Sequence, residues 1–231
     1  MSMSMMGLSE LWETDRFVPG AVEIQHDVVR AGHGAVKITV RAHDRFEPGL
    51  HGNSDSERDE LREARRLTAK EESAYEYSFS MFFPKEFPVV PTRLVIAQWK
   101  QYCRAGGNCS DDSPVLAIRY IDGVLKITQD MERKQTVLYQ QKGEFRDRWL
   151  DFKFRVRFST KDNGRVQAWL GSQQVVDYRG VTANVEDTMT GYPSPSYFFF
   201  KMGLYRNVMA EPMTVYIDEY RKRQLGADAF Q

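Results

Sequence analysis

Phe152-Lys153-Phe154-Arg155-Val156-Arg157-Phe158 is the stretch that decides the fold class. Apolar residues alternate with cations at a period of two, the period at which successive side chains of a strand point to opposite faces. A helix would scatter the same apolar residues around its circumference. The segment therefore reads as a strand with one face in a core and one face wet.

The same alternation recurs on both sides of it. Val36, Ile38 and Val40 alternate with Lys37, Thr39 and Arg41, and Tyr75, Tyr77, Phe79 and Met81 with Glu76, Ser78 and Ser80. Turn signals separate the runs. Asp122-Gly123 parts Leu116–Ile121 from Val124–Thr128, Asp162-Asn163-Gly164 follows Phe158, and Gly171-Ser172 follows Leu170. Many short strands with frequent turns predict an all-β sandwich of two antiparallel sheets. No repeat or Pro/Gly/Ser-rich linker divides the chain, so residues 1–231 read as one domain, with 1–15 peripheral or disordered. Trp99, Trp149 and Trp169 read as core, and Trp12 carries no signal. Only Glu57–Glu72 is ambiguous. Its first half suits a strand, and its second half suits a strand or a solvated helix.

Lys plus Arg and Asp plus Glu both total 32 in the 231 residues, so no global field points to nucleic acid or a membrane surface. Residues 1–7 lack the apolar run of a secretory signal, and nothing approaches a membrane-spanning length. The expectation is a soluble monomer, either intracellular or a secreted or periplasmic protein without its leader. Cys103 and Cys109 could form a local disulfide or remain two free thiols.

Three strands carry polar side chains that a core does not require. Arg58-Asp59-Glu60-Leu61-Arg62 projects Arg58, Glu60 and Arg62 to one face. Val95-Ile96-Ala97-Gln98-Trp99-Lys100 puts Gln98 and Lys100 opposite Trp99. Tyr197-Phe198-Phe199-Phe200-Lys201-Met202-Gly203-Leu204-Tyr205-Arg206 puts Lys201, Gly203 and Tyr205 together, with Gly203 leaving room for a ligand.

At these residues the chain resembles the jelly-roll polysaccharide lyases, whose alginate-cleaving members carry an Arg-x-Glu-Leu-Arg strand, a Gln-x-His strand and a Tyr-Phe-Lys-x-Gly-x-Tyr strand in that order. Trp149-Leu150-Asp151-Phe152, Phe158-Ser159 and Gly164–Gly171 make it more similar to the glucuronan lyases and their heparin-lyase-like relatives. Lys100 stands where the alginate-type histidine would be. His51, in Gly49-Leu50-His51-Gly52-Asn53, matches a glucuronan-type histidine on the preceding loop. The resemblance runs from about Val22 to Tyr220. It implies a concanavalin A-like jelly roll with a concave substrate groove, and an enzyme cutting a uronate polysaccharide by β-elimination.

That chemistry states what each residue would do. The C5 proton is weakly acidic while the neighbouring carboxylate is charged, so the enzyme must neutralise that carboxylate. Gln98 would supply an amide donor and Arg62 a permanent cationic fork. Tyr205 would serve as base and acid, with His51 assisting or taking the base role. Arg58, Glu60, Lys100, Lys201, Arg206 and Asn207 complete the expected binding set. Arg58, Arg62, Arg65, Lys100, Arg104, Lys201 and Arg206 would form a basic stripe for a polyanion despite zero net charge.

No cofactor is required by this chemistry. A structural Ca²⁺ is expected at Asp218, with no further ligands identified. Two other readings of the same fold remain: a non-catalytic lectin-like module, and a glycoside hydrolase, which would need two acids facing across a cleft. Each site residue also has an ordinary reading. Tyr205 could be a core tyrosine with its hydroxyl at the rim, His51 a solvated loop histidine, Arg58 and Arg62 surface ion-pair partners, and Asp218 an edge aspartate.

Overall fold

The computed structural model describes residues 5–13, 17–44, 55–102, 114–131, 134–184, 196–226 and 228–230. His51, Cys103, Arg104 and Cys109 lie outside the described residues. Strands form two antiparallel sheets. The first has eight strands in the order β1 (Trp12–Glu13), β4 (Ser56–Glu63), β14 (Tyr197–Asn207), β7 (Leu94–Gln101), β8 (Leu116–Ile121), β9 (Val124–Met131) and β10 (Lys134–Lys142), with β5 (Ala69–Lys70) also pairing β14. The second has seven, in the order β13 (Gln173–Arg179), β12 (Arg165–Leu170), β11 (Trp149–Arg157), β6 (Ala74–Phe82), β15 (Met213–Gln224), β3 (Ala35–Val40) and β2 (Val22–Gln25).

The alternation that predicted β11 is realised in its burial, with Phe152, Phe154 and Val156 inward and Lys153, Arg155 and Arg157 at the surface. The inward rings meet those of the opposite sheet. Trp99 lies 4.7 Å from Phe154, and Phe158 stacks on Phe198 at 4.0 Å with 9° between planes. Phe200 is the hub, in contact with Trp12, Tyr77, Phe79, Trp99 and Tyr220. Each such buried ring contributes about 1.5–3 kcal/mol over an exposed one. Phe200 thereby fixes the strand that carries Lys201 next to it. The β8–β9 hairpin closes as expected, with both Asp122 and Gly123 at positive φ, 51° and 72°, the requirement of a type I′ turn.

The structure alters four expectations. The second half of Glu57–Glu72 is a 3-10 turn at Arg65–Leu67 followed by β5, not a helix. Contacts to distant strands override local propensity here, because Glu63 is held by Lys222 and Tyr220 and Glu71 by Ser196 and Thr160. Trp149 and Trp169 lie on the outer face of the second sheet, half-buried, against Phe82 at 5.5 Å and beneath the Lys153 ammonium at 4.1 Å.

Residues 8–13 are not peripheral. Leu8 and Trp12 belong to the core, with Trp12 4.5 Å from Tyr220, because β1 completes the edge of the first sheet beside β4. Gly203 has φ 146°, and a Cβ there would meet the Asp59 carbonyl oxygen at 2.4 Å and the Glu60 Cα at 2.8 Å. Its missing side chain makes room for β4 rather than for a ligand, beside a bulge that shifts β14 against β7 between Met202 and Tyr205.

Candidate active site

The outer face of the first sheet gathers the three polar strands. On β4, Glu57, Asp59, Leu61 and Glu63 point inward, leaving Arg58, Glu60 and Arg62 outward. β14 lies between β4 and β7, so register decides which side chains meet. Lys201 pairs with Arg62 on one side and Gln98 on the other. Tyr205 pairs with Arg58 and, past the bulge, with Val95. Two cross-strand rows result, Arg62–Lys201–Gln98 and Arg58–Tyr205–Val95, with Glu60 and Gly203 between them. Side chains that share such a row are near neighbours.

Glu60 ties the first row together. The Gln98 amide donates to its Oε1, and Lys201 Nζ lies 3.4 Å from its Oε2. Glu60 and Gln98 are both buried. The amide nitrogen of Gln98 carries two hydrogens, so one remains for a ligand. Burial together with the Arg58, Lys100 and Arg62 charges brings Lys201 down to about 8, against the opposing pull of Glu60. Arg62 lies 3.3 Å from Glu13 on β1, and its guanidinium covers the Phe199 ring at 4.3 Å. Lys100 is half-buried on the same face.

Tyr205 is bracketed by two guanidinium groups, Arg58 at 5.2 Å and Arg93 at 4.6 Å from its ring centroid. Arg93 stands just before β7 and had no place in the sequence-based expectation. Neither did Arg119 on β8, which donates to Thr128 Oγ1 at 3.1 Å. The sequence does carry a signal for Arg119, a lone cation between Ile118 and Tyr120 in an apolar strand.

Arg206, expected in the binding set, is not on this face. It is fully buried between the sheets and paired with Glu57 at 2.8 Å, because the residue after Tyr205 must point the other way. Asn207 is exposed at the strand end, paired in register with Ser56. Arg65 lies in the 3-10 turn, over the Tyr102 ring at 5.9 Å.

Asp218 is far from this patch in the topology, on β15 of the other sheet. Its carboxylate accepts the backbone N–H groups of Arg30, Ala31 and Glu219. The Arg30 guanidinium grips the adjacent Asp151. Among the described residues no three His, Cys, Asp or Glu side chains gather to hold a metal ion. A hard cation needs several oxygens, and the Asp218 carboxylate is engaged by these three N–H groups.

Two antiparallel sheets around one aromatic core, with a polar patch of Gln, Tyr and cations on an outer face, define a jelly-roll protein of the carbohydrate-active kind. The sequence profile described as "Polysaccharide lyase" matches residues 5–221, and the chain belongs to that family. It is a polysaccharide lyase by membership.

Solved structures share the fold. The endo-β-1,4-glucuronan lyase of the fungus Trichoderma reesei is 19% identical with a TM-score of 0.66, over 87% of this chain and 85% of that one. An alginate lyase of polysaccharide lyase family 7 is 15% identical with a TM-score of 0.58, over 96% and 88%. A β-glucanase catalytic domain from Podospora anserina is 12% identical with a TM-score of 0.64, over 97% and 89%. No curated protein matches the chain. Among the described residues no helix is long and apolar enough to cross a membrane.

Proposed function

We propose that this lyase cleaves a uronate polysaccharide of the glucuronan kind by β-elimination, leaving a 4,5-unsaturated sugar at the new end. The observation that carries the reading is the registration of two rows on one sheet face, Arg62–Lys201–Gln98 beside Arg58–Tyr205.

In this scheme the substrate carboxylate lies on the first row. The free Gln98 N–H, the Lys201 ammonium and the Arg62 guanidinium neutralise it, so that charge from C5 spreads onto it. Glu60 orients Gln98 and Lys201 for that task. Tyr205, as the phenolate, takes the C5 proton. The electron pair forms the C4–C5 double bond, the C4–O4 bond breaks, and the phenol returns its proton to the departing oxygen. The guanidinium groups of Arg58 and Arg93 over the Tyr205 ring hold it in place between the two rows. His51 is retained as a second proton carrier on the strength of the family resemblance.

The test offers glucuronan, alginate and heparin in turn and follows the ultraviolet absorbance of the unsaturated product. Glucuronan is expected to give the signal, and Tyr205→Phe to cut its rate by about 100-fold or more. Silence on every polyuronate sinks the reading. A rate that survives Tyr205→Phe sinks the assignment of the base.

A further inference from the structure

The second row does not stop at Tyr205. Beyond Val95 it continues through Arg119 on β8 and Lys126 on β9, so Arg58, Tyr205, Val95, Arg119 and Lys126 lie in register across five adjacent strands. At about 4.8 Å per strand, Arg58 and Lys126 are separated by roughly 19 Å. Arg93 projects over Tyr205 from the segment leading into β7. This is a line of cations at right angles to the strands, with the proposed base inside it.

Among the described residues, Arg93 and Arg119 are poorly matched by acids. Arg93 Nε is buried with no hydrogen-bond partner among the described residues. Arg119 gives its Nε–H to a neutral hydroxyl, Thr128 Oγ1. The nearby carboxylate of Asp130 accepts from Gln135 instead. Burial and the Arg93 charge push Arg119 below its ordinary value, only partly countered by Asp130. Like charges held together in this way oppose folding, and such a conflict is expected where a ligand resolves it. Planar guanidinium groups match a carboxylate, which accepts two parallel N–H bonds.

We propose that Arg58, Arg93 and Arg119 form a second carboxylate subsite, which takes the uronate next to the one being cleaved. The enzyme then requires consecutive uronates, and a polymer in which uronates alternate with uncharged sugars leaves the subsite empty. This inference rests on the lyase reading above and specifies its substrate. The polymer lies across the strands, from the Gln98–Lys201 pair past Tyr205 toward β8 and β9.

The test uses the whole chain with two polymers, a 4-linked homopolymer of glucuronate and one in which glucuronate alternates with N-acetylglucosamine. The wild-type protein should cut the homopolymer with a kcat/KM at least about tenfold higher. On the homopolymer, Arg93→Ala and Arg119→Gln should each raise KM about tenfold while kcat stays within about threefold, as expected for a charge-assisted contact made equally in ground and transition states. Arg93→Lys, which retains the charge without the fork, should recover part of the loss.

Circular dichroism and thermal melts keep a folding defect separate from a binding one. Two results overturn the subsite while leaving the lyase reading intact. One is an unchanged KM in folded variants. The other is a loss confined to kcat, which would mean that the arginines act on Tyr205 alone. Equal cutting of both polymers by the wild type overturns the requirement for consecutive uronates. No product from the wild type on any polyuronate overturns the lyase reading and the subsite together.

Discussion

Arg206 and Glu57, 149 positions apart in the chain, form an ion pair 2.8 Å long with both side chains completely buried between the sheets. Glu57 also accepts the backbone N–H of His43, and Arg206 donates to the backbone carbonyl of Glu211. The pair holds β14 to β4 directly beneath the Arg58–Tyr205 row. A fully bonded buried pair differs little in stability from a well-packed apolar one, whereas a single remaining buried charge is costly.

Arg206→Met should therefore destabilise the fold by about 3–5 kcal/mol, and Glu57→Leu by a similar amount, while the double variant recovers most of the loss. Urea unfolding of the three variants gives the coupling. Additive losses would show that the two side chains do not act as a unit.

Lys201 supplies charge to the first row and has been brought down to about 8. Activity on a uronate polymer should therefore fall as pH rises through about 8, as the ammonium loses its proton and the substrate carboxylate loses a counterion. Stability runs the other way. The folded value lies below the ordinary 10.5, so the unfolded chain binds more protons between about 8 and 10.5 and the fold gains stability across that window. The pH profile of kcat/KM is the measurement, and Lys201→Arg should carry the descending limb to higher pH. A limb that does not move assigns the titration to another group.

Asp59 sets the opposite sign. It lies on the inner face of β4, with Oδ1 accepting the Val18 N–H at 3.1 Å and Oδ2 without a hydrogen-bond partner among the described residues. Burial, reinforced by Asp44 and Glu60, raises it from 3.8 to about 7. The folded protein then binds the extra proton between those values, so stability is full below about pH 4 and declines as pH rises through 7. The loss should amount to a few kcal/mol. Melting temperatures between pH 5 and 8 should fall for the wild type and level out for Asp59→Asn. An equal slope in both proteins would place the titration elsewhere.

Much of the fold is legible because β11, β6 and β3 alternate cleanly, and one buried face per strand leaves little freedom of register. β4 reads less well. Charges stand on both of its faces, and nothing in Glu57-Arg58-Asp59-Glu60-Leu61-Arg62-Glu63 says which carboxylates turn inward, because Arg206, the partner of Glu57, and Lys222, the partner of Glu63, lie more than a hundred residues away. Alternation alone turns Arg206 away from Tyr205, but the carboxylate that lets it be buried lies 149 positions away. From within β14, a cation following Tyr205 reads as part of the binding surface.

At the candidate site, Gln98, Lys201 and Tyr205 are visible as polar residues in apolar strands, and Arg62 through the Arg-x-Glu-Leu-Arg pattern. Arg93 is not, since it stands outside the strand, in the segment leading into β7, and meets Tyr205 only in the fold. Gly203 marks something other than the approach of a ligand. A glycine in a strand marks a close approach, but the sequence does not say by what, and here it is the backbone of β4.

β1 is only two residues long, yet its pairing with β4 keeps the Glu13 carboxylate against Arg62. Glu13 is thus a tethered competitor for the cation that a uronate would seek, present at an effective concentration that no dissolved monomer readily matches. A polymer that engages several cations at once would displace it more readily than a free sugar acid making one contact. On the proposed uronate reading, the edge strand would thus favour long chains over the small acids that their cleavage releases.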